Sequence, residues 1–251
     1  MNIIAFVNQK GGVCKTTSTL NVGAALSRVG KSVLLIDADA QGSLTVGAGI
    51  ELRDGDLTLW EVLKGTGDIN QAIKQKPGAA YDILPADIAL SGADIELSSI
   101  PGRDFLLREA LAQLVKPYDF ILIDCPPSLG VVTLMALTAS TGAIIPLIPH
   151  FYSLHGVAQL RDTIGLVKRR MNPRLEIIGV LLSMYDGRKI LHREVAESID
   201  AAFPGKLFST KIKTSIRVAE APSAGKDVFE YNVNNVTQQY IDLSNEIMER
   251  V

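Results

Sequence analysis

Apolar positions along this chain fall into two alternating rhythms. Unbroken runs at Ile3 to Val7, Ser32 to Ile36, Phe120 to Ile123, Ala143 to Pro149 and Glu176 to Met184 read as strands covered on both faces, and Tyr81 to Ala86 as a shorter one stopped by Pro85. Between them lie stretches of helical spacing. Leu20, Ala24, Ala25 and Leu26 mark a helix from Leu20 to Val29, and amphipathic patterns predict others over Phe105 to Leu114, Ser153 to Arg170 and Val233 to Val251. The segment from Leu57 to Gln75 predicts two short helices separated by Gly65, Thr66 and Gly67, with Trp60 as a core anchor because Leu57 and Leu63 sit three positions either side of it. Strands alternating with helices predict an α/β fold, a doubly wound and mainly parallel sheet with helices on both faces. The 251 residues are read as a single domain, 1–251.

Composition narrows the function. An apolar share of 47% and a charged share of 21% exclude wholesale disorder. A net charge of −2 argues against a surface that coats nucleic acid everywhere, leaving room only for a local basic patch. Two cysteines, Cys14 and Cys125, are too few for a disulfide framework and lack metal-site spacing, so a reducing compartment is expected. Met1 and Asn2 lead straight into the first strand without a signal peptide, and no apolar run is long enough to span a membrane. The expected location is the cytoplasm.

The chemistry begins where the first strand ends. Lys10, Gly11, Gly12, Val13, Cys14, Lys15, Thr16 and Thr17 lie between that strand and the first helix, the layout of a phosphate cradle. Loop glycines let backbone N–H groups close round phosphate oxygens, Lys15 reaches the β and γ phosphates, and the Thr16 hydroxyl ligates Mg²⁺. Gln9 and Cys14 occupy the two glycine slots of the ordinary P-loop pattern, so the match is to the deviant form KGGxxK[ST]. Two aspartates, Asp37 and Asp39, follow the second strand, and Asp124 ends the apolar run Phe120 to Ile123 about 110 residues after the loop. Acids at the carboxyl ends of parallel strands stand where such sheets bind ligands.

These motifs resemble those of the ParA/MinD group of deviant Walker A ATPases, and within it the ParA/Soj-like partition proteins. The resemblance runs from Ile3 to the last helix. Asp37-Ala38-Asp39-Ala40-Gln41-Gly42 is similar to DxDPQGN, and Ile123 to Gly130 to IDCPPSLG. The stretches Tyr81 to Leu97, Tyr152 to Leu160 and Gly179 to Met184 also resemble the family. It implies ATP and Mg²⁺ as cofactors, with Lys10 crossing a dimer interface to the other subunit's nucleotide. It implies that Asp39 positions or activates the attacking water, that Asp37 supports the Mg²⁺ and Thr16 shell, and that Asp124 is the Walker B acid. The family's adenine-supporting loop has a proline that is missing from Ile212-Lys213-Thr214-Ser215.

Two basic clusters follow, Arg188, Lys189, His192 and Arg193, then Lys206, Lys211, Lys213 and Arg217. Composition alone reads them as solvated faces. The resemblance implies that Arg188, Lys189, Lys213 and Arg217 contact double-stranded DNA without reading sequence, once an ATP-bound homodimer forms. A ParB-like or other cargo-linked activator is the implied partner, and the nucleoid the implied site of action. No operator-binding extension precedes the loop, so autorepression is not expected. A MinD-like membrane switch would want a basic amphipathic tail, whereas the last helix carries Gln238, Asp242, Asn245, Glu246 and Glu249 on its polar face. A metabolic enzyme or iron–sulfur carrier on the same loop remains the rival from another class, although carriers need paired interfacial cysteines. Loss of hydrolysis is disfavoured by Asp37, Asp39 and Asp124 together. Cys14 carries two open questions. A residue there is strained if φ is positive; a thiol at a helix N-terminus can have a lowered pKa and be open to oxidation or alkylation, but the favoured reading is a neutral small residue that matters only as packing.

Overall fold

The computed structural model describes residues 1–76, 78–150 and 153–251. In chain order the first half runs β1 (Asn2–Phe6), α1 (Lys15–Arg28), β2 (Val33–Asp37), α2 (Ser43–Gly47), α3 (Leu59–Lys64), α4 (Ile69–Ala72), β3 (Lys74–Gln75), β4 (Tyr81–Leu84), α5 (Ala93–Glu96) and α6 (Leu106–Leu111). The second half runs β5 (Phe120–Asp124), α7 (Val131–Ala139), β6 (Gly142–Leu147), α8 (Ser153–Arg170), β7 (Glu176–Leu182), α9 (Ile190–Ala202), α10 (Ile216–Glu220) and α11 (Asn234–Arg250). Tyr152, where one family-like stretch begins, lies outside the described residues.

Seven strands form one sheet in the order β3-β4-β2-β5-β1-β6-β7. Every neighbouring pair is parallel except β3 with β4. Alternate residues of β1 serve opposite faces: Ala5 packs in the layer with Trp60, Leu107 and Leu160, Phe6 in the layer with Leu20, Tyr240 and Leu243. Burial on both sides explains why these strands read as continuous apolar runs.

Two expectations are corrected. Lys74 and Gln75, placed in a helical segment, form an antiparallel edge strand against Asp82 and Ile83. Two residues are too few to show an alternation, and the partner strand fixes them. The helix expected over Phe105 to Leu114 is a 3₁₀ turn, Arg103–Phe105, followed by helix only as far as Leu111. Trp60 is a core anchor as expected, buried in the layer with Leu59 and Leu63.

Order and register place the carboxyl ends of β1, β2 and β5 side by side. Asp37 pairs with Asp124, and Phe6 pairs with Asp124 from the other side. The loop after β1 is therefore flanked by both carboxylates.

Candidate nucleotide site

The chain leaves β1 at Phe6, turns through Asn8 to Cys14 and enters α1 at Lys15. Gly12 and Cys14 both have left-handed backbones, with φ of 71° and 66°. At Gly12 that conformation is free of steric cost, whereas at Cys14 it costs on the order of 1–2 kcal/mol. Lys15 is almost wholly buried, and its ammonium donates to the Lys10 carbonyl at 3.2 Å. Burial holds its pKa below the usual lysine range, against the pull of Asp124, Cys125 and Asp39.

The two buried carboxylates differ sharply. Asp37 Oδ2 accepts from both the backbone N–H and the hydroxyl of Thr45, each at 2.8 Å, and its Oδ1 accepts from the Asp39 N–H at 3.2 Å. Burial nonetheless raises its pKa to about 6. Neither oxygen of Asp124 has a hydrogen-bond partner of good geometry. Burial first, then the charge of Asp37, pushes its pKa well up; Thr16 and Lys15 act the other way. A fully buried carboxylate with two unmet oxygens is costly and calls for a cation or water. Asp124 with the Thr16 hydroxyl fits a divalent ion that keeps water and phosphate oxygens in its shell, as Mg²⁺ does. A cage built from protein alone is absent: no group of three or more His, Cys, Asp or Glu side chains able to hold a metal occurs among the described residues.

Asp39 is half-buried, and its Oδ1 accepts from the Gln41 N–H at 3.0 Å, which turns the chain toward α2. Lys10 is exposed, and among the described residues its ammonium has no hydrogen-bond or ion-pair partner. The loop, Asp37, Asp39 and Asp124 are thus gathered at one end of the sheet. A cleft of about 1160 Å³ opens nearby between residues 40–52 and 222–226, yet none of residues 10–17 lines it. The candidate phosphate site thus rests on charge and loop geometry rather than on cavity size.

The sequence gives no sign of Thr45, which holds Asp37, or of Asn8 and Asn21. Asn21 donates to the Thr17 carbonyl at 2.7 Å and accepts from the Val228 N–H at 2.8 Å, tying the first turn of α1 to the approach to α11. Only a position that is both polar and inside an apolar helical face could have flagged it. Cys14 does not behave as a helix-terminal thiolate. Burial raises its pKa, with Ser183 only partly opposing, and burial likewise raises Cys125. The alternative of a lowered pKa is corrected because desolvation outweighs the helix end.

The basic clusters come from two segments joined by a hydrogen bond from Tyr185 N–H to the Ile212 carbonyl at 2.9 Å. Arg188 grips Asp186 through Nε at 3.0 Å and Nη2 at 2.9 Å, while its side chain stays 91% exposed and free to exchange partners. Arg217 donates to the Tyr231 carbonyl and stacks over that ring. Lys189 precedes α9, and the Lys213 N–H donates to Gln239. His192 leaves the cluster. It is buried, accepts the Asp186 N–H at Nδ1, and has its pKa lowered by burial and Lys189, so it adds no charge to this surface. The loop expected at the adenine is partly core: Ile212 is buried and its N–H donates to the Leu182 carbonyl.

Residues 1–177 match the family described as an AAA domain. The chain is 43% identical to the chromosome partitioning protein ParA of Caulobacter vibrioides, with 100% of this chain and 95% of that protein covered. It is also 43% identical to the sporulation initiation inhibitor protein Soj of Bacillus subtilis, covering 98% and 97%. The chain belongs to the ParA/Soj family of ATPases. Its fold is that of P-loop ATPases of the ParA/MinD type. A solved relative, cobyrinic acid a,c-diamide synthase from Mycobacterium smegmatis with bound ADP and magnesium, superposes with a TM-score of 0.86 at 33% identity over 99% of this chain and 94% of that one. As a ParA/Soj-family member the chain is an ATPase.

Proposed function

We propose that this ATPase is a partition protein, acting as one domain of residues 1–251, whose ATP-bound homodimer binds double-stranded DNA without reading sequence and lets go on hydrolysis. The observation that carries this reading is Lys10: its backbone is fixed on both sides while its ammonium is exposed and without a partner among the described residues. Such a group suits a phosphate supplied by another subunit. Gly11, Gly12, Val13, Cys14, Lys15, Thr16 and Thr17 cradle the triphosphate. Lys15 and the partner's equivalent of Lys10 offset charge on the transferred phosphoryl group, and Asp39 orients the attacking water and takes up its proton. Thr16 and Asp124 would hold Mg²⁺, with Asp37 in support, and the ion would supply positive charge to offset that of the phosphates.

Arg188, Lys189, Lys213 and Arg217 serve DNA phosphates, and a cargo-linked activator stimulates release. The cytoplasm, at the nucleoid, is the fitting place. Among the described residues no helix is long and apolar enough to cross a membrane. In α11, Val236, Tyr240, Leu243 and Ile247 are buried against the sheet, which leaves no apolar stripe for lipid.

The test is DNA binding with ATP, with ADP and without nucleotide, on the wild type and on Arg188→Ala plus Arg217→Ala. ATP-dependent binding that falls steeply with salt and disappears in the double variant is expected. Binding to anionic liposomes without DNA binding would favour a MinD-like switch. ATP turnover that requires an added carboxylic acid and amine donor would favour a synthase, the second reading raised by the 33% identical relative.

A further inference from the structure

The main chain of β1 stops pairing with β6 one step before the phosphate loop. Its last ladder bond runs from the Val7 N–H to the Ile144 carbonyl at 3.0 Å. The next carbonyl offered on that side of β6, Pro146, receives the side-chain amide of Asn8 at 2.7 Å. Asn8 thus completes the ladder with its side chain and frees the backbone after it to swing out. Its Oδ1 accepts the Lys10 N–H at 3.0 Å, two residues on. A proline carbonyl can only accept and a backbone N–H only donate, so the two partners fix which way the amide faces. Asn8 is 5% exposed.

The Lys10 backbone is consequently held at both of its polar groups, by Asn8 at the N–H and by the Lys15 ammonium at the carbonyl, 3.2 Å away. Only the side chain of Lys10 is left free. A long cation on a free backbone would lose much conformational entropy on docking to a partner, and a fixed backbone removes part of that cost beforehand.

We propose that Asn8 is a positioning residue that presents Lys10 to the second subunit. The inference rests on the reading of Lys10 given above. Asparagine is singled out by its chemistry: it offers one donor and one acceptor on a short stem, where aspartate lacks the donor and alanine lacks both.

The experiment compares Asn8→Ala, Asn8→Asp, Lys10→Ala and the Asn8→Ala/Lys10→Ala double variant in the full chain. Dimer mass by light scattering is measured with an ATP analogue that resists hydrolysis, nucleotide affinity with a fluorescent ATP, and folding by urea titration. Asn8→Ala should weaken dimer formation about tenfold while leaving nucleotide affinity within about threefold, and Asn8→Asp, which keeps the acceptor for Lys10, should fall between it and the wild type. On the Lys10→Ala background, Asn8→Ala should add nothing, because both act through one side chain. Normal dimerisation by a folded Asn8→Ala, or a further loss in the double variant, overturns the role of Asn8 alone. Normal dimerisation by Lys10→Ala overturns the reading of Lys10 and this inference with it.

Discussion

Asp37 and Asp124 stand in direct register on adjacent parallel strands, and of the two only Asp37 has hydrogen-bond partners of good geometry among the described residues. The pair is therefore asymmetric before any ligand arrives. Asp37 is occupied in holding the chain at Thr45 and Asp39, while Asp124 retains its whole coordinating capacity. Thr45 also accepts the Ala86 N–H at 3.1 Å, so one hydroxyl locks the end of β2 to the segment after β4.

The pH dependence follows from Asp37. Its folded pKa of about 6 lies above the unfolded value near 3.9, so its contribution to stability is present at low pH and is lost as pH rises through about 6. The shift corresponds to roughly 2–3 kcal/mol. Urea unfolding of nucleotide-free wild type and Asp37→Asn should show the variant gaining on the wild type by about that amount between about pH 4 and pH 7. A constant difference across that range would contradict the raised pKa.

Cys14 is a standing source of strain. With φ at 66°, replacement by glycine should relieve about 1 kcal/mol, after allowing for glycine's greater unfolded-state entropy. Thermal melts of Cys14→Gly should rise by a few degrees. Reactivity is tested on the wild type: the raised pKa predicts slow alkylation of Cys14 at pH 7, measured by mass spectrometry with Cys14→Gly as the blank.

Two glycines cross where α2 meets the turn before α11. A Cβ on Gly49 would lie 2.7 Å from the Gly225 carbonyl oxygen, and one on Gly225 would lie 2.7 Å from the Gly49 Cα, both at positive φ. Gly49→Ala or Gly225→Ala should cost roughly 2–4 kcal/mol, strain and clash together. Gly30→Ala, also at positive φ but with open space around it, should cost only about 1 kcal/mol. Chemical unfolding of the three variants gives the comparison.

Arg188 is partly neutralised by Asp186, which grips its guanidinium at 2.9 Å. Releasing it should strengthen phosphate contact. In the proposed DNA-binding state, Asp186→Ala should tighten affinity a few-fold at low salt, and Arg188→Ala should weaken it and reduce the salt slope by about one. Fluorescence anisotropy over a salt series measures both.

Much of this protein was legible from local pattern. The buried runs at β1, β2 and β5 announce themselves because strands covered on both faces tolerate few polar residues. The turn from β1 into α1 is legible for a similar reason, since its glycines shape the backbone locally. The boundaries after Phe105 and the strand at Lys74 were not legible, because a partner segment rather than local propensity decides them.

By itself the sequence determined where a glycine loop joins β1 to α1 and which acids end which strands, for these properties depend on neighbours a few positions away. Tertiary structure alone decided that Asp37 is satisfied and Asp124 is not, that His192 is buried and neutral, and that Asn8 finishes a ladder with Pro146, 138 residues away. Each of those outcomes turns on a hydrogen-bond partner or a loss of water supplied by a distant part of the chain, and no local window of sequence contains either.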